Sequence, residues 1–206
     1  MENKDIIKVP QAAKAVSKVL CWEKKTELVF SPEGKDDMKS VKALSDNAIQ
    51  ILCDALIART LIGKLSILHI KIDKGVDNLA KLLRQDATLK ELYLNDNHFG
   101  DKHAESIAES LCSNTSLETL DLMHNLICDH GAKCLAKVFR SPNDPEVEDD
   151  LNNPGYTNSK IHTFCLDGNK HISAKGLSYL ANIYVKNARP ELKLTHFPLS
   201  WFQVRL

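Results

Sequence analysis

A repeated block of leucines is the feature that most constrains the fold of this chain. Leu89–Asn97 reads Leu-Lys-Glu-Leu-Tyr-Leu-Asn-Asp-Asn, and Leu117–Asn125 repeats its leucines and its last asparagine 28 residues later. Ile161–Asn169 follows after 44 residues, which is one 28-residue period and a 16-residue insertion. Weaker copies place apolar residues in the same slots at Leu28 and Phe30, at Leu65, Leu68 and Ile70, and at Leu192, Leu194 and Phe197. A unit this short cannot bury its own apolar side chains, so the repeat predicts a stack of similar coils.

A helical pattern follows each leucine block. Apolar residues recur at i, i+3, i+4 and i+7 in Ala104–Leu111 and in Ala132–Phe139, which gives each segment one buried stripe. Asp101 and Asp129 come just ahead, where a short acceptor side chain can cap the exposed N–H groups of a helix. Each repeat is therefore interpreted as a strand followed by a helix.

The combined pattern, L-x-x-L-x-L-x-x-N-x-[FI]-x-D-x-[GA]-x-x-[LI]-A-x-x-[LF], resembles the leucine-rich repeat of the ribonuclease-inhibitor type. The match is strongest over Leu89–Phe139 and continues over Ile161–Tyr184. The resemblance implies a short curved α/β solenoid of about six coils, with a parallel β-sheet on the concave face and helices on the convex face. It implies little about function, because one repeat fold hosts many functions.

The ends of a solenoid need caps, since the first and last coils otherwise expose apolar surface or a sheet edge. We expect an N-terminal helical cap, the leucine-rich repeats, and a final strand with a C-terminal cap, over residues 1–24, 25–188 and 189–206. Val9–Trp22 reads as the amphipathic helix of the first cap. Insertions near residues 33–42 and 141–160 interrupt the repeats, and the second is an acidic, proline-containing loop that could contact a basic partner.

Charge and composition exclude several classes of protein. Lys plus Arg and Asp plus Glu each number 27, and a nucleic-acid or anionic-membrane binder needs a basic surplus. The start of the chain has no apolar signal segment, and charges interrupt the apolar stretch Ile49–Leu68, so we predict no membrane insertion. The six cysteines include no C-x-x-C pair and indicate a reducing compartment. We therefore expect a cytoplasmic monomer.

Motifs for catalysis are absent from the sequence. There is no phosphate-binding G-x-x-x-x-G-K-[ST], no G-x-G-x-x-G, no H-E-x-x-H and no G-x-S-x-G, so we predict no catalytic residue and no cofactor. Cys128 and His130 share one strand-to-helix turn, and His98 and His103 flank the equivalent turn of the preceding coil. Such a set could hold zinc, but we interpret it as polar turn residues that do not meet, and we predict no metal.

Proteins that activate the Ran GTPase are built from the same repeat type. Leu94–Gly100 resembles a segment of those proteins that carries a functional asparagine, and the matching residue here is Asn97. The repeat itself also requires an asparagine at this slot, because its amide can pair backbone groups that the turn leaves free. We prefer this structural role for Asn97, Asn125 and Asn169, and GTPase activation stays an alternative.

Strand alternation predicts which side chains a partner could reach. Leu92 and Leu94 point into the core, so the residues around them point outward. Applied to each copy, this gives a concave-face set of Ile67, His69, Lys71, Glu91, Tyr93, Asn95, Thr119, Asp121, Met123, Thr163, Cys165 and Asp167. Its middle column reads His69, Tyr93, Asp121 and Cys165. Exposed aromatic and apolar side chains among charges are typical of an interface centre.

The sequence therefore predicts a non-enzymatic module that binds a partner protein through the concave strands and the rim loops. Repeats of this size resemble the tropomodulin-like domains that cap actin filaments. They also resemble the repeat-only effectors that intracellular bacteria deliver into the cytosol of a host. These resemblances make actin and small GTPases candidate partners, and a GTPase-activating or metal-dependent protein is the second alternative.

Overall fold

The computed structural model describes residues 5–7, 27–30, 46–58, 62–70, 72, 75–85, 88–139, 158, 160–187 and 193–195. The strands of this part are β1 Asp5–Ile7, β2 Glu27–Phe30, β3 Lys64–Ile67, β4 Glu91–Tyr93, β5 Thr119–Asp121, β6 Thr163–Cys165 and β7 Lys193–Thr195. Its helices are α1 Asp46–Ala58, α2 Val76–Gln85, α3 Asp101–Leu111, α4 Asp129–Lys137 and α5 Ala174–Asn187. The expected cap helix Val9–Trp22, the 33–42 insertion, most of the 141–160 insertion and the end of the chain after Thr195 lie outside it.

The strands form one parallel sheet in chain order. Each strand pairs with the next, and Leu92, Leu120 and Phe164 lie opposite one another in β4, β5 and β6. From β2 onward a helix separates successive strands, and each helix packs on the next one along the chain. This is the α/β leucine-rich-repeat solenoid that the repeats predict. It has seven strands in the described residues, one more than expected, because Asp5–Ile7 pairs with β2.

The leucine slots of the repeat fill a core between the sheet and the helices. Leu92, Leu120 and Phe164 have no exposed surface, and the rings of Phe139 and Phe164 lie 5.1 Å apart. Since burial of each such side chain is worth about 1.5–3 kcal/mol, the periodic leucines stabilise every coil against its neighbours.

Buried asparagines join successive coils. The Nδ2 of Asn97 donates to the carbonyl of Ile67 at 2.6 Å, and its Oδ1 accepts from the N–H of Ile70 at 2.8 Å. Asn125 and Asn169 make the same kind of contact to the coil before each of them. This confirms the structural role predicted for the repeat asparagines.

The expected register of the coil before Leu89 is wrong by three residues. It aligned Leu68 with Leu92, whereas Leu65 lies opposite Leu92 in the sheet. Ile67 was therefore expected on the concave face but is fully buried in the core, and His69 lies in the turn after β3. The error has a physical cause, because this segment carries apolar residues in both possible registers and has no asparagine to mark the turn.

Asp101 and Asp129 cap the helix of the following coil and not their own. The Oδ1 of Asp101 accepts from the N–H of Cys128, which precedes α4, at 2.7 Å. The Oδ1 of Asp129 accepts from the N–H groups of Ser173 and Gly176 at the start of α5, at 2.7 and 3.0 Å. The Ser173 hydroxyl also donates to Asp129 Oδ2 at 2.6 Å, and this bond, with the backbone bonds, lowers the pKa of Asp129. The expected caps thus serve the contact between coils.

Candidate functional site

The sheet surface that the helices do not cover carries the side chains that alternate with the core. We refer to it as the concave face, and its residues with described side chains are Glu27, Lys64, Ser66, Leu68, Glu91, Tyr93, Asn95, Thr119, Asp121, Met123, Thr163, Cys165 and Asp167. Most of the predicted residues lie on it and are partly exposed, namely Glu91, Tyr93, Asn95, Thr119, Met123, Thr163 and Asp167.

Four of the predicted residues differ from the expectation, and a fifth is not tested. Asp121 and Cys165 lie on the concave face, but each is only 7% exposed, so each offers little surface to a partner. Ile67 belongs to the core, as described above, and His69 lies at the rim. Lys71 lies outside the described residues.

The concave face also has members that were not predicted, and they are Glu27, Lys64, Ser66 and Leu68. Lys64, Ser66 and Leu68 were missed because the register expected for this coil was wrong. An offset of 27 residues brings Leu65 and Ile67 onto Leu92 and Leu94, and this match is the signal that would have found them.

A cleft with a volume of about 370 Å³ opens where β2, β3 and β4 meet the turns that follow β3 and β4. Its lining consists of Glu27, Lys64, Ser66, Leu68, His69, Tyr93, Asn95 and Asp96. Tyr93 lies opposite Ser66 in the sheet, and the small serine leaves room beside the phenol ring.

Charged side chains hold Tyr93 in place within the cleft. The Lys64 ammonium lies 3.3 Å from Glu27 Oε1 and 3.6 Å from Glu91 Oε2. The same ammonium lies 5.1 Å from the centre of the Tyr93 ring, and the Tyr93 hydroxyl donates to Glu91 Oε2 at 3.0 Å. The aromatic ring is thus fixed by a cation–π contact and a hydrogen bond before any partner arrives.

The phenol of Tyr93 is a neutral donor at physiological pH. Partial burial, and next the hydrogen bond to Glu91, raise the pKa of Tyr93 to about 12. Both effects favour the protonated form, because a phenolate would be less well hydrated and would lie beside a carboxylate.

Left-handed turn residues follow the strands of the concave face, and two of them, His69 and Asp96, line the cleft. His69, Asp96 and His124 occupy the same slot of successive coils with φ values of 56°, 58° and 53°, and Gly168 takes the slot in the next coil with φ of 73°. The imidazole Nδ1 of His69 lies 3.4 Å from Asp96 Oδ2. The His124 ring occupies the space that a Cβ atom at position 168 would need, so this coil requires glycine.

The concave face is acidic although the chain as a whole is neutral. Among the residues of this face whose side chains the structure describes, Glu27, Glu91, Asp121 and Asp167 carry carboxylates and Lys64 carries an ammonium. An acidic surface of this kind attracts and orients a partner with a basic surface.

The zinc set that the sequence analysis considered does not assemble. His103 Nδ1 accepts from the N–H of Gly100 at 3.1 Å, and its ring stacks on Phe99 with 5.1 Å between the centroids. The structure groups His130 with Glu105 and Cys134, and not with Cys128, His98 or His103.

The residue on which the resemblance to Ran-activating proteins depends, Asn97, is buried. Asn97 has no exposed surface, and both ends of its amide are bonded to the backbone of the preceding coil. It therefore cannot touch a GTPase in this structure.

Comparison with known proteins agrees with the geometry. Residues 85–108 and 113–136 match the Leucine Rich repeat family. The chain is similar to NACHT, LRR and PYD domains-containing protein 14 of Homo sapiens, with 30% identity across 50% of this chain and 12% of that protein. It therefore spans only a small part of that relative. It is also similar in fold to Leiomodin-1 Actin-Binding Site 2 (ABS2), with a TM-score of 0.55 and 16% identity over 85% of this chain and 88% of that chain.

The parallel sheet, the helices between its strands and the asparagine ladder define a solenoid of repeated βα units. Together with the family match over residues 85–108 and 113–136, they show that the chain has a leucine-rich-repeat fold. The repeats and the fold neighbour support a protein-interaction module as its general class. No described helix combines the length and the apolar composition that a bilayer-spanning segment requires.

Proposed function

We propose that this chain is a non-enzymatic interaction module that binds a partner protein through the concave face, with the cleft around Tyr93 at its centre. The observation that carries the proposal is the preorganised Tyr93, whose ring and hydroxyl are both held by charged neighbours. Ordering an aromatic anchor in advance reduces the entropy lost on binding, and such anchors supply much of the energy of protein interfaces.

The chemistry of the cleft favours a partner that brings hydrogen-bond donors and positive charge. The Asn95 Oδ1 is buried and has no hydrogen-bond partner among the described residues, so a donor from the partner would satisfy it. The surplus of carboxylates on the concave face adds attraction for lysine or arginine side chains.

The test first captures the partner and then measures its affinity. A photo-crosslinking residue at Thr119, which is partly exposed beside the cleft, would trap proteins that dock on the concave face. The captured protein would then be purified and titrated against wild type, Tyr93→Ala and Tyr179→Ala by calorimetry. Tyr179 is a matched control, since it is a partly buried tyrosine of α5 whose ring lies 5.7 Å from the Lys133 ammonium.

We expect Tyr93→Ala to weaken binding by more than about tenfold, which corresponds to about 1.4 kcal/mol. The variant should retain the wild-type fold. Tyr179→Ala should bind as wild type does. Equal affinity for all three proteins would show that the partner does not use the cleft.

Actin is the second candidate, and the specific observation that favours it is the shared fold with the actin-binding site of leiomodin-1. Co-sedimentation with filaments and a calorimetric titration of monomeric actin would test it directly. A complex that Tyr93→Ala weakens would identify actin as the partner of this face. Failure of both assays would exclude actin and leave the concave-face proposal to the crosslinking result.

A further inference from the structure

Three side chains of different chemistry meet on the helical side of the solenoid, away from the cleft. Glu105 lies on α3, and His130 and Cys134 lie four residues apart on α4, so that they share one face of that helix. A carboxylate oxygen, an imidazole nitrogen and the thiol sulfur all lie within 4.8 Å of one another. Glu105 and His130 are exposed and Cys134 is partly exposed, so that solvent ions can reach all three.

The spacing fits tetrahedral metal binding. Zinc binds sulfur at about 2.3 Å and nitrogen at about 2.0–2.1 Å, which at a tetrahedral angle places the two ligand atoms about 3.5–3.6 Å apart. The Cys134 sulfur and His130 Nε2 are 3.7 Å apart. The carboxylate of Glu105 is exposed and already lies within 4.8 Å of both other ligand atoms, so that a small side-chain movement would complete a set of three ligands.

We propose that Glu105, His130 and Cys134 bind a divalent ion of the zinc type. Thiolate and imidazole together select such ions over calcium and magnesium, which prefer oxygen ligands. Three protein ligands leave the fourth position for water or for a side chain of a partner. Burial and the neighbouring Glu105 raise the pKa of Cys134, and a bound cation would displace the thiol proton that this environment retains.

Such an ion would join two neighbouring coils. Glu105 and the pair on α4 lie on helices that pack side by side, so that coordination would link α3 to α4 on the convex surface. Since the ion would bind the folded chain and not the unfolded one, it would raise the melting temperature.

The test uses the full chain without an affinity tag. Cobalt(II) would be titrated into wild type, Cys134→Ser, His130→Gln and the control Cys128→Ser, and zinc would then be added as competitor. Cys128 is a suitable control because it is a partly exposed cysteine of the same region that lies outside the cluster. Absorbance reports thiolate-to-cobalt charge transfer, and equilibrium dialysis with elemental analysis reports zinc stoichiometry.

We expect one ion per chain in wild type and in Cys128→Ser, with a thiolate charge-transfer band and a zinc-dependent rise in melting temperature. Cys134→Ser should lose the band. Both ligand variants should bind the ion more than about tenfold more weakly, because even the loss of a residue that only hydrogen-bonds to a metal ligand typically weakens binding by that factor. Circular dichroism would establish that each variant is folded. Absence of binding at micromolar zinc, or equal binding by Cys134→Ser and wild type, would overturn the proposal.

Discussion

The asparagine ladder gives a stability prediction that can be worked out atom by atom. Asn125 is 3% exposed, and its Oδ1 accepts from the N–H groups of Asn97 and Phe99, both at 3.0 Å. Its Nδ2 donates to the Leu94 carbonyl at 2.9 Å. The substitution Asn125→Ala would leave these two N–H groups and this carbonyl without a partner inside the protein.

The expected loss follows from that count. A buried donor or acceptor left unpaired costs about 1–3 kcal/mol, and water that enters the vacated space relieves part of the penalty. The Nδ2 also contacts the carbonyls of Leu122 and Met123, but these keep bonds to Asn169 and Asp96 respectively. We therefore expect Asn125→Ala to lower the free energy of unfolding by about 3–5 kcal/mol, a large part of the 5–15 kcal/mol of a typical domain.

Urea unfolding followed by circular dichroism and by tryptophan fluorescence would measure the change, and agreement of the two probes would establish two-state behaviour. Asn95→Ala is the matched control. It is the same substitution two residues before Asn97, but the amide oxygen that it removes has no hydrogen-bond partner among the described residues. It should lower the free energy of unfolding by no more than about 0.5 kcal/mol. If Asn125→Ala and Asn95→Ala unfold at the same urea concentration, the reasoning about the ladder is refuted.

Three further predictions concern the contacts between coils and the core. Gly131→Ala should destabilise by about 1–3 kcal/mol in urea unfolding, because a Cβ there would lie 2.6 Å from Asp101 Oδ1. Because the pKa of Asp129 is lowered in the folded chain, its carboxylate contributes fully to the stability of the fold above its ordinary pKa. This contribution is lost as the pH falls through the lowered value. Asp129→Asn should therefore reduce stability at neutral pH, and thermal melts should converge with wild type as the pH falls below about 4. Cys53 is fully buried, and burial raises its pKa to about 12, so a thiol reagent should label it only after unfolding.

An outcome that would contradict the reasoning can be stated for each of these predictions, and the glycine and cysteine predictions also have a control. Gly100→Ala should be tolerated, since the nearest atom to a Cβ there lies at 3.8 Å, and equal loss in both glycine variants would contradict the steric argument. A constant difference between Asp129→Asn and wild type from neutral to acidic pH would mean that the charge of Asp129 is not responsible. Mass spectrometry should find Cys128, which is partly exposed, labelled in the native state, and native labelling of Cys53 would place it outside the core.

The sequence predicted the strand register correctly in the repeats that have both the leucine spacing and the turn asparagine. The blocks at Leu89 and Leu117 have both, and their strands pair in the expected register. The coil before them lacks the asparagine, and Ile70 stands in that slot. Apolar periodicity alone then allowed two registers, and the hydrogen bond from the Ile70 N–H to Asn97 of the next coil accompanies the one that places Leu65 opposite Leu92. A local pattern cannot contain that information, because it belongs to the neighbouring coil.

The candidate site was less predictable than the fold for a related reason. Strand alternation predicts which way the side chains of Asp121 and Tyr93 point, but it does not predict how much of each side chain is covered by its neighbours. Asp121 is 7% exposed, and its Oδ1 accepts from the N–H of Met123 at 2.9 Å, so it is a part of the strand's own structure. Lys64 is decisive for the orientation of Tyr93, yet the two are 29 residues apart and their contact depends on correct pairing of β3 with β4.

The same side chains that join the coils explain how this fold accommodates its long insertion. Asn169 reaches across 42 residues to the N–H of Ile127, and Leu120 pairs with Phe164 in the same slots that join Leu92 to Leu120. Closing a longer loop adds little entropy loss, since the loss grows only with the logarithm of loop length. The buried ladder therefore holds the coils in register whatever the connection between them. The residues of the concave face are not part of that ladder, so they can change to suit a partner while the backbone that presents them stays the same.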